Sequence, residues 1–127
     1  MKIKIYIAII SIYLLPFQKL VAQVTLQHTT CEMLVNPMGI DVTQPRLSWE
    51  ILSNQRNVKQ KAYQILVASS LEKLNANDGD LWNSEKVNEQ QSIHVRYSGT
   101  KLQSRMRAYW KVKIWTNAGE SDWSEPN

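Results

Sequence analysis

The sequence carries eleven carboxylate side chains: Glu32, Asp41, Glu50, Glu72, Asp78, Asp80, Glu85, Glu89, Glu120, Asp122 and Glu125. Hydrolysis of a glycosidic bond needs two such groups opposed across a sugar, roughly 5–9 Å apart. Most of these acids fall in polar stretches or on the polar side of alternating runs, where a carboxylate is simply solvated. Asp78 and Asp80 are neighbours, but a single loop provides no walls for a substrate. The same Asp78-Gly79-Asp80 triplet raises the question of calcium. With Gly79 at the sixth position of a helix–loop–helix calcium site, Asp78 and Glu85 stand correctly at the fifth and twelfth. The first and third ligands would then be Leu74 and Ala76, whose side chains hold no oxygen. A turn stabilised by the Asp side chains is the reading that survives.

Other chemistries are equally thin. His28 and His94 are far apart, and the lone Cys31 does not complete a zinc set with them. With one cysteine no internal disulfide can form, and Cys31, flanked at a distance by Leu26 and Leu34, reads as a small buried hydrophobe. The serines lack a nucleophile elbow or a nearby base, and no glycine-rich phosphate loop or Asn-x-Ser/Thr acceptor is present. The expectation is therefore no catalytic residue, no metal ligand and no cofactor. Five tryptophans remain. Trp49 and Trp110 have the parity of a buried strand face, whereas Trp115 points outward and Trp82 and Trp123 fall in loops. Trp82, Trp115 and Trp123 are thus candidates for packing against a neighbouring domain or for stacking on a sugar, the second requiring exposed coplanar rings. Lys111, Lys113 and Arg107 form a modest basic stripe that reads as a solvated face.

The elements that must position these groups have period two. Trp49 alternates with Ser48 and Glu50, between Leu47 and Ile51. Tyr63, Ile65 and Val67 form one face of a second run whose other face is also partly apolar, as suits a central strand. Ile93, Val95 and Tyr97 share a face in the third, and Trp110, Val112 and Ile114 oppose Lys111 and Lys113 in the fourth. The expected core is accordingly Trp49, Tyr63, Ile65, Val67, Val95, Trp110, Val112 and Ile114. The polar stretch from Ser53 to Lys61 reads as a hairpin loop, and Ser98-Gly99-Thr100 and Asn117 to Ser121 as turns. One short helix is expected from Ser70 through Leu74, capped by Ser69 or Ser70. Several strands with almost no helix describe two packed sheets.

Residues 1–22 read differently from the rest. Lys2 and Lys4 precede an apolar run from Ile5 to Leu15, and Leu20-Val21-Ala22 supplies a small residue before Gln23. That order describes a secretory signal peptide, and the run is too short to span a bilayer comfortably. The expectation is a protein exported to the periplasm or secreted, with no membrane span after cleavage and a mature domain over 23–127. Lys2, Lys4 and Lys19 depart with the leader, so the formal charge falls from +4 to +1. No net charge then steers the domain to nucleic acid.

Two groups of residues carry a resemblance. Leu102 through Pro126, with Asn117-Ala118-Gly119-Glu120-Ser121 and Trp123-Ser124-Glu125-Pro126, resembles the second half of a fibronectin type III domain. More specific are Cys31 to Asp41, Pro45-Arg46-Leu47-Ser48-Trp49, Ala62 to Ser69, Asp80-Leu81-Trp82-Asn83-Ser84 and Tyr109-Trp110-Lys111-Val112. Together these resemble the N-terminal module of bacterial α-L-rhamnosidases of glycoside hydrolase family 78, large exported enzymes common in Bacteroidetes. The resemblance implies an all-β, immunoglobulin/fibronectin type III-like β-sandwich. It also implies a parent enzyme whose toroidal catalytic domain lies several hundred residues further on, so no catalytic residue carries over. The partners implied are downstream domains of that enzyme, and through it a plant polysaccharide or glycoside.

Two further expectations follow. A fibronectin-type sandwich places a tyrosine where this chain has Ala108, so the tyrosine-corner hydrogen bond is either missing or made by Tyr109 from a shifted strand. Ser121 to Pro126 leads towards a strand that Asn127 cuts short, which suggests a sandwich truncated at its C-terminal side and lacking its last strand. The functional expectation is a non-catalytic structural and positioning module. The alternatives are a carbohydrate-binding sandwich or an adhesion-type module of a surface protein.

Overall fold

A computed structural model describes residues 23–127 of the chain; the leader expected over residues 1–22 lies outside them. Seven strands and one helix follow in the order β1 (Val24–Cys31), β2 (Arg46–Ser53), β3 (Gln60–Ala68), α1 (Leu71–Asn75), β4 (Trp82–Asn83), β5 (Val95–Arg96), β6 (Tyr109–Thr116) and β7 (Gly119–Glu120). They form two antiparallel sheets, one in the order β1-β2-β5 and the other β4-β3-β6-β7. The architecture is an immunoglobulin/fibronectin type III-like sandwich that does not close into a barrel.

Alternation explains the layering. On β3 and β6, Tyr63 opposes Ile114, Ile65 opposes Val112 and Val67 opposes Trp110, and all six side chains are buried. Leu47 and Trp49 of β2 and Val95 of β5 meet them from the other sheet. Trp49 stacks edge-on against Tyr63 at 5.4 Å, and its Nε1–H donates to Gln60 Oε1 at 2.9 Å. Gln60 in turn donates to the carbonyls of Glu89 and Gln91 at 3.1 and 2.8 Å. The buried indole therefore has its polar atom satisfied, as a buried donor requires.

Four local features depart from the simple pattern. The 53–61 stretch is no hairpin: β2 pairs with β1 and β5, and β3 with β4 and β6, so this connection crosses from one sheet to the other. Ile93 does not share the core face with Val95 and Tyr97 and is 61% exposed. His94 has φ +55°, and a left-handed residue breaks the alternation on which that parity rested. His28 likewise has φ +48° at the register shift between Gln27 and Thr30, a bulge in β1. The buried tyrosine hydroxyl bond is made by Tyr97, which donates to the Thr100 carbonyl at 2.5 Å. Tyr109 instead packs on the outside of its sheet with Leu66, Ala68 and Leu74. Gly99 is required beside Tyr97, because a Cβ there would collide with the Leu81 carbonyl and Trp82 Cβ.

Beyond β7 the chain keeps following β6 without forming regular strand. Ser121 N–H donates to the Ile114 carbonyl (2.9 Å) and Ser124 N–H to that of Val112 (2.8 Å), while Asn127 and Trp110 exchange two bonds of 3.0 Å. The hydroxyls of Ser121 and Ser124 accept the N–H groups of Ile114 and Val112, each at 3.0 Å. Serine side chains thus stand in for the backbone acceptors that a regular ladder would supply. Regular pairing of the last strand stops at two residues, and the sandwich is incomplete in that sense.

Candidate docking cleft and the outer tryptophans

Two surfaces of the sandwich are candidates for function: the outer face of the β4-β3-β6-β7 sheet, and the end where β1 leads to β2 and β5 leads to β6. The outer face holds two of the three tryptophans singled out above, Trp115 and Trp123; Trp82 lies on β4 opposite Val67 and packs against the inter-sheet core instead. Helix α1 lies across it because Ser70 caps the first turn, accepting from Lys73 N–H at 3.2 Å, and Leu74 reaches in against Leu66 and Ala68. Asp80 holds the following turn in place: it accepts from Ser69 N–H (2.9 Å), Ser69 Oγ–H (2.5 Å) and Lys73 Nζ (3.1 Å). These bonds, the Ser69 ones foremost, hold its carboxyl well below the usual range, at about 2.

Each of the three tryptophans is half-buried and engaged by the module's own side chains. Trp82 meets Tyr97 edge-on at 5.3 Å. Trp115 has Lys86 Nζ at 4.6 Å and Lys113 Nζ at 5.5 Å from its ring centre. Trp123 packs on the Leu74 cluster, with Lys111 Nζ 4.9 Å from its ring. Lys111 is no solvated stripe residue; it is 6% exposed and its ammonium donates to Asn77 Oδ1. Its place between the helix turn and Trp123 buries the stem, and burial lowers the ammonium's pKa. Lys113 pairs with Glu120 at 3.5 Å.

The other surface is a cleft of about 510 Å³ between the ends of the two sheets. Its floor is core: Leu47, Val67 and Trp110. Its walls are the part of the β1–β2 connection over residues 36–45 and the loop over residues 102–108. Cys31 lies at its edge, and burial, helped by the charge of Glu32, pushes the thiol up to about 11. Glu32 is itself tied to Arg46, accepting from its Nη2 at 2.8 Å, which anchors one end of the long connection. Asp41 is the one acidic side chain among the described residues of the wall. Among the described residues no group of three or more His, Cys, Asp or Glu could hold a metal ion, and no helix is long and apolar enough to cross a membrane.

The connection that supplies one wall of this cleft escaped the sequence reading. Met33-Leu34-Val35, Met38 and Val42 carry no alternation, so the stretch registers only as a loop containing Asn36-Pro37 and Gly39. The available signal was the number of large apolar residues in a loop, where solvation would favour polar ones.

Residues 26–127 match the family described as the Rha78A-like, N-terminal immunoglobulin domain. The chain belongs to that family. An α-L-rhamnosidase of Formosa agariphila is 42% identical over 110 residues, covering 86% of this chain and 12% of that enzyme. One from Streptomyces avermitilis is 40% identical over 97 residues, covering 76% of this chain and 9% of the enzyme. Among solved structures, the α-L-rhamnosidase of Streptomyces avermitilis complexed with L-rhamnose superposes with a TM-score of 0.77 at 37% identity, over 82% of this chain and 10% of that one. The Dictyoglumus thermophilum enzyme gives 0.78 at 36% identity, over 81% and 12%. The chain therefore corresponds to the N-terminal immunoglobulin-like module of glycoside hydrolase family 78 α-L-rhamnosidases and spans about a tenth of the length of the relatives it matches. In those enzymes most of the polypeptide, the catalytic domain included, lies outside the matched module.

Proposed function

We propose that this chain is the non-catalytic packing and positioning module of an exported α-L-rhamnosidase, whose full-length form removes terminal α-L-rhamnosyl groups from plant glycans or glycosides. The observation that carries the reading is the match to the family's N-terminal immunoglobulin domain over residues 26–127, at the sequence and the fold level together. The chemistry of the cleft supports it. Asp41 alone contributes an acidic side chain to the wall, whereas the two-carboxylate route to glycosidic hydrolysis needs an opposed pair. Residues 1–22 serve as the export leader in this proposal. An assay of the purified chain on an aryl rhamnoside is expected to show no turnover, and clear turnover that copurifies with the folded chain contradicts the proposal.

A carbohydrate-binding role is the second reading, and it would rest on the exposed parts of Trp82, Trp115 and Trp123. These rings are already covered in part by Tyr97, Lys86, Lys113 and Lys111, which favours packing over sugar stacking. Titrating rhamnosides and plant oligosaccharides while following tryptophan fluorescence separates the two: a saturable shift at millimolar sugar would favour the binding module.

A further inference from the structure

Two of the module's exposed large apolar side chains line the cleft, Val42 (46% exposed) and Met106 (38%). Met38, 91% exposed, stands between the lining residues Pro37 and Gly39. Between them the cleft reaches down to Leu47, Val67 and Trp110. Exposed apolar side chains beside an opening into the core mark a surface that another element covers. The wall is also short of internal bonds. Among the described residues no backbone N–H from residues 35 to 44 donates a hydrogen bond, so these groups can bond an incoming main chain.

The path of the polypeptide identifies the occupant. Asn127 lines the cleft, and it is held there from both sheets: its backbone exchanges two bonds with Trp110 of β6, and its Oδ1 accepts from Thr29 Oγ1 of β1 at 2.8 Å. Val24, by contrast, pairs with Ser53 at the far end of the sandwich. In the relatives the matched N-terminal domain is 9 to 12% of the length, and a polypeptide continuing from Asn127 would set out from the mouth of this cleft.

We propose that the cleft is the docking site for the segment immediately following this module in the same α-L-rhamnosidase polypeptide, an extended apolar stretch gripped by Val42 and Met106. This inference rests on the function proposed above and specifies the surface through which positioning is exerted. It predicts that the cleft end, and not the tryptophan-bearing face, is where the module is fixed to the enzyme.

The test is a chimera in which residues 26–127 of this chain replace the corresponding module of the Formosa agariphila enzyme, compared with the 127-residue chain alone by amide hydrogen exchange. Exchange over residues 36–43 and 103–106 is expected to slow by about tenfold or more in the chimera, while the outer face changes little. A folded chimera that hydrolyses an aryl rhamnoside but shows unchanged exchange in the cleft overturns the docking inference and leaves the module assignment standing. A chimera that neither folds nor turns over substrate, where the parent enzyme does both, overturns the assignment and the inference with it. Protection that grows with concentration in the isolated chain assigns the cleft to a second copy. Protection at every dilution assigns it to the chain's own residues. Either of these also overturns the inference.

Discussion

The outer face of the β4-β3-β6-β7 sheet and the open end of the sandwich contrast sharply in how each treats its apolar surface. On the outer face Leu66, Ala68 and Leu74 form a second small core, roofed by Tyr109 and Trp123 and locked by Lys111 on Asn77. At the open end Val42 and Met106 stand partly in solvent at a cleft that descends to Trp110, with Met38 exposed on the same connection. The first surface is completed by the module itself, the second is not. Aromatic rings near the surface are therefore a poor guide to where this module meets its surroundings, because Trp82, Trp115 and Trp123 each already have a local partner.

The contrast can be broken by mutation, and the largest effect is expected on the outer face. Leu74→Ala removes the side chain that joins α1 to the sheet and should lower the unfolding free energy of the isolated chain by about 2–5 kcal/mol. Urea denaturation reads this directly, and a loss of a few tenths would show that the helix is not part of the cooperative unit. Lys111→Ala strips Trp123 of its cation and Asn77 of its donor, and a cost of about 1–3 kcal/mol is expected, with quenching or shift of tryptophan emission in the folded state.

A third test uses pH. The Asp80 carboxyl titrates at about 2 in the folded chain, below its ordinary value of about 3.9. The unfolded state therefore takes up the proton more readily. The stabilisation is complete above pH ~4 and is lost as pH falls towards 2. Asp80→Asn should flatten this part of the acid limb of a melting-temperature profile while leaving the slope above pH 5 unchanged. At the open end the expected effect is smallest. Met38→Ser with Val42→Ser should change the stability of the isolated chain by no more than about 0.5 kcal/mol, because neither side chain is part of its core. A larger loss would mean that the rim supports the sandwich after all.

The two regions also differed in how readable they were. The four alternating runs that build the main core were legible because a half-buried strand writes its burial with period two, and Trp110, Val112 and Ile114 do so plainly. The family was legible from segments such as Pro45-Arg46-Leu47-Ser48-Trp49, whose residue types are specific beyond the fold. Parity failed at Ile93, where the left-handed His94 resets the alternation. It was incomplete for Lys111, which does point outward but into a layer formed by α1 and the Trp123 segment. Strand periodicity reports which side of a sheet a residue takes and is silent on what later covers that side. The sheet change between β2 and β3 was missed for a related reason: a polar connection looks the same whether it joins neighbours in one sheet or crosses between two. The cleft was least legible of all, since its walls are loops of irregular backbone, with Glu32, Met33, Asn36 and Gly39 at positive φ.

Native-state hydrogen exchange on the 127-residue chain by itself tests the contrast most directly. Amides bonded along β3 and β6, beneath the α1 and Trp123 layer, should exchange only through global unfolding, and those of residues 36–43 should exchange orders of magnitude faster through local opening. Equal protection of the two regions would contradict the view that one surface is self-completed and the other awaits a partner.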